Sequence, residues 1–135
     1  MKELKLVLAS ASPRRRELLG LFELPYTCQA ADIDESIHAG EAPKAYVQRL
    51  AREKNEAVQA DALILSADTI VVFNDGVLGK PTDVREADKM LTELRANAHS
   101  VCTALYLRGD TQAWADCCET RVRMRPYTRS EIESY

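Results

Sequence analysis

Short apolar runs alternate with amphipathic stretches along this 135-residue chain. The runs that predict strands cover residues 4–9, 26–30, 62–73, 100–107 and 112–124. Between the third and fourth of these runs, Asn74-Asp75-Gly76 is a strong turn signal and predicts a hairpin that returns through Val77 and Leu78. A second turn, Arg108-Gly109-Asp110, joins the last two predicted strands into a long hairpin.

Helix start signals divide the amphipathic stretches. Ser12 is a good N-cap and Pro13 suits the first helical position, while capping boxes pair Asp83 with Glu86 and Thr128 with Glu131. The predicted helices cover residues 14–22, 43–59, 84–96 and 130–135. Strands that alternate with helices, together with one long hairpin, predict an α/β fold: a mixed, twisted sheet flanked by helices.

Composition narrows the class of protein. With 46% hydrophobic and 29% charged residues, the chain has the profile of one ordinary globular domain over residues 1–135. A net charge of −3 argues against bulk attachment to nucleic acid or to an anionic membrane, so any anionic ligand needs locally clustered cations. The four cysteines form no CxxC pair, which favours a reduced, cytoplasmic compartment.

Three consecutive arginines fall in the first turn of the first predicted helix, residues 14–16. The helix dipole makes that end partly positive and disfavours each cation by about 0.3–1 kcal/mol. The same end offers free backbone N–H groups, and Ser10 and Ser12 add hydroxyl donors. A strand, a small-residue loop and a helix start beside Arg14 and Arg15 together indicate a phosphate site. Solvated arginines on an exposed turn are the alternative.

Two cations fall on predicted apolar helix faces. Arg15 shares a stripe with Leu18, Leu19 and Phe22, which predicts that it faces the interior. Lys54 lies in the middle of a second apolar face, formed by Val47, Leu50, Ala51, Ala57 and Val58. A lysine in that position either extends to the surface or meets an anion.

Acidic residues supply the other half of the candidate site. Asp68 is the one charge in the apolar run 62–73, and an unpaired buried carboxylate costs several kcal/mol, so it needs a cation, donors or a metal. It is therefore a candidate metal ligand or general base, with a structural strand-end aspartate as the alternative. Asp34 and Glu35 could add oxygen ligands for Mg²⁺, or form a solvated loop.

Lys80, held between Gly79 and Pro81, is either a phosphate contact or a solvated loop lysine.

Four segments of the chain resemble, in order and spacing, the motifs of the Maf family of nucleotide pyrophosphatases. They are Leu8-Ala9-Ser10-Ala11-Ser12-Pro13-Arg14-Arg15, Leu50-Ala51-Arg52-Glu53-Lys54, Ser66-Ala67-Asp68-Thr69-Ile70-Val71 and Gly79-Lys80-Pro81. The resemblance runs from Leu6 to the end of the chain. It implies a Maf or inosine triphosphate pyrophosphatase-like fold and the hydrolysis of a nucleoside triphosphate to its monophosphate and pyrophosphate.

The resemblance also implies roles for individual residues. Asp68 is expected to be the catalytic residue, as metal ligand or as base for the attacking water, and Glu35 to join it in binding Mg²⁺ or Mn²⁺. The expected substrate contacts are Ser10, Arg14, Arg15, Lys54, Thr69 and Lys80. Arg15 and Thr69 resemble the branch that prefers dTTP and UTP over 7-methyl-GTP. The expected partner is the nucleotide, without nucleic acid or membrane, and a homodimer is compatible with the sequence.

The chain departs from the family pattern in two places. Leu94-Arg95-Ala96-Asn97 stands where the family has a Leu-Ser-Gly turn, which predicts a local loop change. Family members also continue for about another third of their length, with a Gly-Ile-Gln-Gly-like segment that helps to choose the base. The sequence therefore leaves two alternatives open: a catalytically impaired protein that binds nucleotides or a partner in septum formation, and a related inosine triphosphate pyrophosphatase.

Overall fold

A computed structural model describes residues 4–135. Its strands are β1 (Leu6–Leu8), β2 (Thr27–Cys28), β3 (Leu63–Phe73), β4 (Gly76–Leu78), β5 (Ala98–Arg108) and β6 (Ala113–Arg123). Its helices are α1 (Pro13–Gly20), α2 (Pro43–Glu56), α3 (Val84–Leu94) and α4 (Arg129–Ser134). The elements follow the order predicted from the sequence. Within the described residues, no helix is long and apolar enough to cross a membrane.

The strands form one mixed sheet in the order β2-β1-β3-β5-β6, with β4 paired to β3. β1 is parallel to both β2 and β3, whereas β5 and β6 add an antiparallel hairpin. The predicted α/β class with a mixed sheet is therefore confirmed. β1 lies between β2 and β3, the two strands that follow it in the sequence. After β1 the chain therefore adds β2 on one side of it and then crosses over to add β3 on the other side. Sheets with this reversal place ligands at the carboxyl ends of the strands beside it.

The length of β3 opens space at that position. β1 pairs with Leu63 to Leu65 alone, whereas β3 continues to Phe73 along β5. Residues from Ser66 onward therefore extend past the end of β1. The segment that follows β1 fills the adjoining volume, starting with the Ala9 amide, which donates to the Leu65 carbonyl at 2.8 Å.

Helix α2 packs its apolar face on β3 and β5, and this contact forms the main core. The cluster contains Val47, Ala51, Ile70, Cys102 and Ala104. Beyond the cluster, Asn55 donates to the carbonyls of Ile64 and Tyr106, and Arg108 donates to the carbonyls of Asn55 and Val58 at the end of the helix. These bonds fix the C-terminal end of α2 against the sheet.

Some local predictions were wrong. The α1 stripe does not face the interior: Leu19 is buried, but Leu18 and Phe22 are 53% and 71% exposed. Because α1 ends at Gly20, Phe22 lies beyond the helix. The predicted first hairpin is confirmed: its two turn residues are Asn74 and Asp75, both with positive φ, and the chain returns through β4, which starts at Gly76. This geometry matches a two-residue type I′ loop.

Candidate active site

The segment between β1 and α1 places the N-terminus of helix α1 at the candidate site. Ser12 has extended backbone and caps α1, because its hydroxyl accepts from the Arg15 amide at 3.4 Å. Ser10 is buried, and its hydroxyl accepts from the Ser12 amide at 3.1 Å. Pro13 occupies the first helical position as predicted. The result is a short rigid loop that aims the positive end of a helix at the carboxyl edge of the sheet, an arrangement suited to anions.

On the α2 side of the sheet, one lysine joins two carboxylates. The Lys54 ammonium lies 2.8 Å from Asp68 Oδ1 and 3.0 Å from Glu35 Oε1. The side chains of Lys54 and Asp68 are 16% and 10% exposed, whereas that of Glu35 is 57% exposed. Burial by itself would lower the pKa of Lys54, but its bonds to Asp68 and Glu35 raise it above its ordinary value. The lysine is therefore held as a cation, and it neutralises the buried aspartate.

The acidic loop that carries Glu35 is anchored to α2. The Tyr46 hydroxyl donates to the Glu35 carbonyl at 2.5 Å, and Arg49 donates to the Ser36 carbonyl at 2.8 Å. Arg49 also forms two hydrogen bonds to Glu41, of 2.7 and 3.0 Å, and one of 2.9 Å to Glu53. The bond from Arg49 is the main cause that lowers the pKa of Glu41 to about 2. These contacts fix the backbone of the loop at Glu35 and Ser36.

The opposite face of β3 carries a chain of polar contacts. Because successive strand residues point to opposite faces, Thr69 lies on the side away from Asp68. Arg15 Nη2 donates to Thr69 Oγ1 at 3.4 Å, and Thr69 Oγ1 lies 3.0 Å from Thr103 Oγ1 in β5. Arg15 from α1 and Lys54 from α2 therefore approach neighbouring residues of one strand from opposite sides of the sheet.

A cavity of about 390 Å³ lies between these groups. Its lining comes from the loop after β1, from the acidic loop and from two lysines, and includes Ser10, Ser12, Arg15, Asp32, Glu35, Lys54 and Lys80. Asp68 is connected to the cavity lining by its hydrogen bond from Lys54, and Thr69 is connected to it by its hydrogen bond from Arg15. Arg14 is exposed and does not line the cavity.

Sequence reasoning missed several residues near this cavity. Asp32 lines it, whereas Asp34 turns away and accepts from the amide and hydroxyl of Ser36. Tyr46, Arg49 and Thr103 act through contacts that lie 11, 13 and 34 positions away in the chain. The spacing of Arg49 and Glu53 on one helix was a visible signal, but the loop partners of Arg49 were not.

A larger cavity lies at the other end of the sheet. It measures about 520 Å³ and is bounded by residues 4–7, 25–27 and 60–62, at the amino ends of the three parallel strands. Lys5 and Asp61 are the charged residues in its lining. A pair of opposite charges offers a polyphosphate no net attraction, so size does not identify the functional site here.

The donor set near Asp68 is compatible with a metal carried by a substrate. Among the described residues, no group of three or more His, Cys, Asp or Glu side chains converges as a self-sufficient metal site. Two carboxylates, those of Asp68 and Glu35, converge on one cation, the Lys54 ammonium. Mg²⁺ in nucleotide enzymes is commonly held by one or two carboxylates plus phosphate oxygens and water.

The fold is shared with solved structures of low sequence identity. A nucleoside-triphosphatase / dITP/XTP pyrophosphatase from Mycobacterium abscessus superposes with a TM-score of 0.55 at 14% identity, covering 92% of this chain and 76% of that one. The Ham1 protein of Staphylococcus aureus gives 0.60 at 10% identity, with coverages of 90% and 72%. At such low identity, these likenesses establish the architecture alone.

The family follows from the sequence comparisons. The Maf model, described as Maf-like protein, matches residues 5–135, and the chain belongs to this family. It is 48% identical over 133 residues to a dTTP/UTP pyrophosphatase of Myxococcus xanthus, and 42% identical over 137 residues to one of Pseudoalteromonas atlantica. These matches cover 96% of this chain and 67% and 71% of the relatives, so the chain spans about two thirds of their length. The resemblance stated from the motifs is confirmed.

Proposed function

We propose that this chain is a nucleoside triphosphate pyrophosphatase that hydrolyses dTTP and UTP to the monophosphate and pyrophosphate. The observation that carries the proposal is the cavity at the end of β1, where Arg15, Lys54 and Lys80 surround a helix N-terminus in a chain of net negative charge. These three cations outnumber the two acidic residues that line the same cavity, Asp32 and Glu35, and an excess of positive charge suits a polyphosphate. The dTTP/UTP pyrophosphatases at 41–50% identity support the same activity.

In this proposal the cations and the helix N-terminus hold the triphosphate. Ser10 and the start of α1 offer hydrogen-bond donors, while Arg15 and Lys80 contribute cations to the lining of the same cavity. Arg14 is assigned to an outer phosphate contact, since it is exposed on the first turn beside Arg15. Phosphoryl chemistry depends on positioning and charge neutralisation more than on covalent catalysis, and these residues supply both.

Asp68 is assigned as the catalytic residue. It is a buried carboxylate bonded to Lys54, which lines the cavity, and it can accept a proton from water or bind a divalent cation together with Glu35. We assign Mg²⁺ or Mn²⁺ as the cofactor, which would polarise the phosphate oxygens and activate water when bound. The chain's own contribution is to place the two carboxylates near each other, through β3 for Asp68 and through the loop backbone anchored by Tyr46 and Arg49 for Glu35.

The preference for dTTP and UTP is assigned to the opposite face of β3. Arg15 joins the phosphate cavity to Thr69, and Thr69 is held by Thr103. The hydrogen bonds from Arg15 to Thr69 and on to Thr103 lead away from Lys54 and Lys80, in a direction that a nucleotide base could follow. Arg15 thus connects the phosphate-binding side of the proposal with its base-selecting side.

The test is pyrophosphate release from a panel of triphosphates: dTTP, UTP, CTP, ITP and 7-methyl-GTP. Wild-type protein with Mg²⁺ should release pyrophosphate fastest from dTTP and UTP. Asp68→Asn should lower kcat/KM by at least about 100-fold, the usual contribution of a general base. Asp110→Asn, in the exposed turn between β5 and β6, is the matched control and should retain wild-type turnover.

Other outcomes would redirect the proposal. Unchanged turnover in Asp68→Asn would remove that residue from the mechanism. Fastest release from ITP would favour an inosine triphosphate pyrophosphatase. Calorimetric binding of UTP without any monophosphate product would favour the second candidate, a nucleotide- or partner-binding protein linked to septum formation. Full activity after chelation of divalent metal would exclude the metal-dependent mechanism.

A further inference from the structure

The Lys54 ammonium occupies the position where the two proposed metal ligands converge. It contacts Asp68 Oδ1 at 2.8 Å and Glu35 Oε1 at 3.0 Å, so one cation satisfies both carboxylates. Lys54 also lines the cavity assigned to the triphosphate, next to Ser10 and Arg15. It is therefore within reach of two different sets of anions, one provided by the protein and one brought by the ligand.

We propose that Lys54 is an internal counter-cation that competes with the divalent metal for Asp68 and Glu35 and is released from them by the triphosphate. This inference rests on the proposed function for the identity of the ligand. Its physical basis is that two cations cannot share the space between the same two carboxylate oxygens. The metal and the ammonium therefore exclude each other there.

The side chain of Lys54 has the freedom that this exchange requires. Its backbone is fixed, because α2 is held by its core contacts and by the bonds of Asn55 and Arg108. The four-carbon stem of a lysine, in contrast, rotates about several single bonds and can direct the ammonium to another acceptor. Of the cations that line the cavity, Lys54 is the one that bonds to these two carboxylates, whereas Arg15 bonds to Thr69.

The exchange explains why a buried lysine stands on the apolar face of α2. Without a cation, Asp68 would be a buried and uncompensated charge, which costs several kcal/mol. With a permanently bound metal, Lys54 would have no anion until the nucleotide arrived. An ammonium that can move neutralises the carboxylates first and the phosphates afterwards, so nucleotide binding and metal binding favour each other.

Binding of Mn²⁺ without nucleotide tests this directly, by electron paramagnetic resonance titration of free Mn²⁺. Lys54→Met removes the competitor and should bind Mn²⁺ at least about tenfold more tightly than wild type, which corresponds to about 1.4 kcal/mol. Lys54→Gln should behave in the same way, and it keeps hydrogen-bond donors in case the methionine disturbs folding. Lys44→Met removes the same charge from the exposed start of α2 and should change the affinity by less than about twofold, because solvent screens it.

A double variant locates the gain in affinity. Because the freed site needs both carboxylates, adding Glu35→Gln to Lys54→Met should abolish most of the increase, which identifies the coupled pair. Mn²⁺ affinity equal to or weaker than wild type in both Lys54 variants would overturn the exchange. The panel of triphosphates tests the enzymatic activity separately, so failure of one proposal is distinguishable from failure of the other.

Discussion

At the scale of single residues, the charges around the cavity are held by specific partners rather than by general proximity. Lys54 joins Asp68 to Glu35, and Arg49 joins the acidic loop to α2. The loop would otherwise be a solvated acidic segment, because its own residues provide little apolar surface to bury. Arg49 also donates two bonds to Glu41, whose side chain is 11% exposed.

The Glu41 contact predicts a pH-dependent contribution to stability. Its pKa is about 2 in the folded chain and 4.5 ordinarily, so the ionised form is favoured by folding. The contribution is fully present above pH 4.5 and disappears as the pH falls towards 2. Glu41→Gln should therefore lower Tm clearly at pH 7, and the difference from wild type should shrink at pH 3.

The control for this prediction is Glu56→Gln. Glu56 pairs with Arg52 at 3.6 Å on the exposed side of α2, and such pairs contribute little. Thermal unfolding followed by circular dichroism at pH 7 and pH 3 gives all three curves. A Glu41→Gln deficit that is the same at both pH values would contradict the assigned ion pair.

At the scale of elements, side-chain caps mark the starts of α1, α3 and α4. Asp83 caps α3 by accepting from the Glu86 amide at 2.8 Å, as its sequence predicted. The return bond differs from the expected capping box, because Glu86 accepts from the Thr82 amide instead of the Asp83 amide. The returning hydrogen bond therefore comes from the residue before the N-cap. At the start of α3, the side chains of Asp83 and Glu86 still each accept a hydrogen bond from a backbone amide.

The cap predicts a measurable cost. Asp83→Ala should lower the free energy of unfolding by about 1 kcal/mol, because the substitution leaves a first-turn amide without its acceptor. Urea denaturation followed by circular dichroism measures this, with Asp110→Ala in the exposed β5–β6 turn as the control. If the two variants lose equal stability, the contribution comes from loss of charge and not from the cap.

At the scale of the whole molecule, the site exists because the sheet reverses at β1. The reversal brings the loop before α1 beside the extension of β3, while α2 and α1 approach from opposite faces. Cations from three separate segments then meet in one cavity, although the chain as a whole is acidic. A ligand that bridges these segments should stabilise the entire fold.

This bridging predicts a thermal shift with nucleotide. UTP with Mg²⁺ at 100 times its Kd should stabilise the folded chain by about 2.7 kcal/mol, seen as a higher Tm. Lys80→Met should reduce the shift at the same UTP concentration by weakening binding, whereas Lys44→Met should not. An equal shift in Lys80→Met and wild type would remove Lys80 from the phosphate contacts.

Much of the fold could be predicted from local signals. The Ser12 and Asp83 caps, the long apolar run of β3 and the turn at Asn74 each depend on neighbouring residues, which the sequence displays directly. The prediction that the α1 stripe faces the interior was wrong because it depends on distant residues, which a local pattern does not display. Periodicity shows which residues share a face, but whether anything covers that face depends on distant parts of the chain.

The sequence by itself determined the elements, the family and the chemical types gathered at the site, because caps, periods and motifs are local. It also singled out Lys54 and Asp68 as charges that needed partners, since each stands among apolar residues. Tertiary structure alone decided that they partner each other, that Glu35 shares the lysine, and that Thr103 supports Thr69. Those pairings join separate segments, and sheet order and register fix their distances.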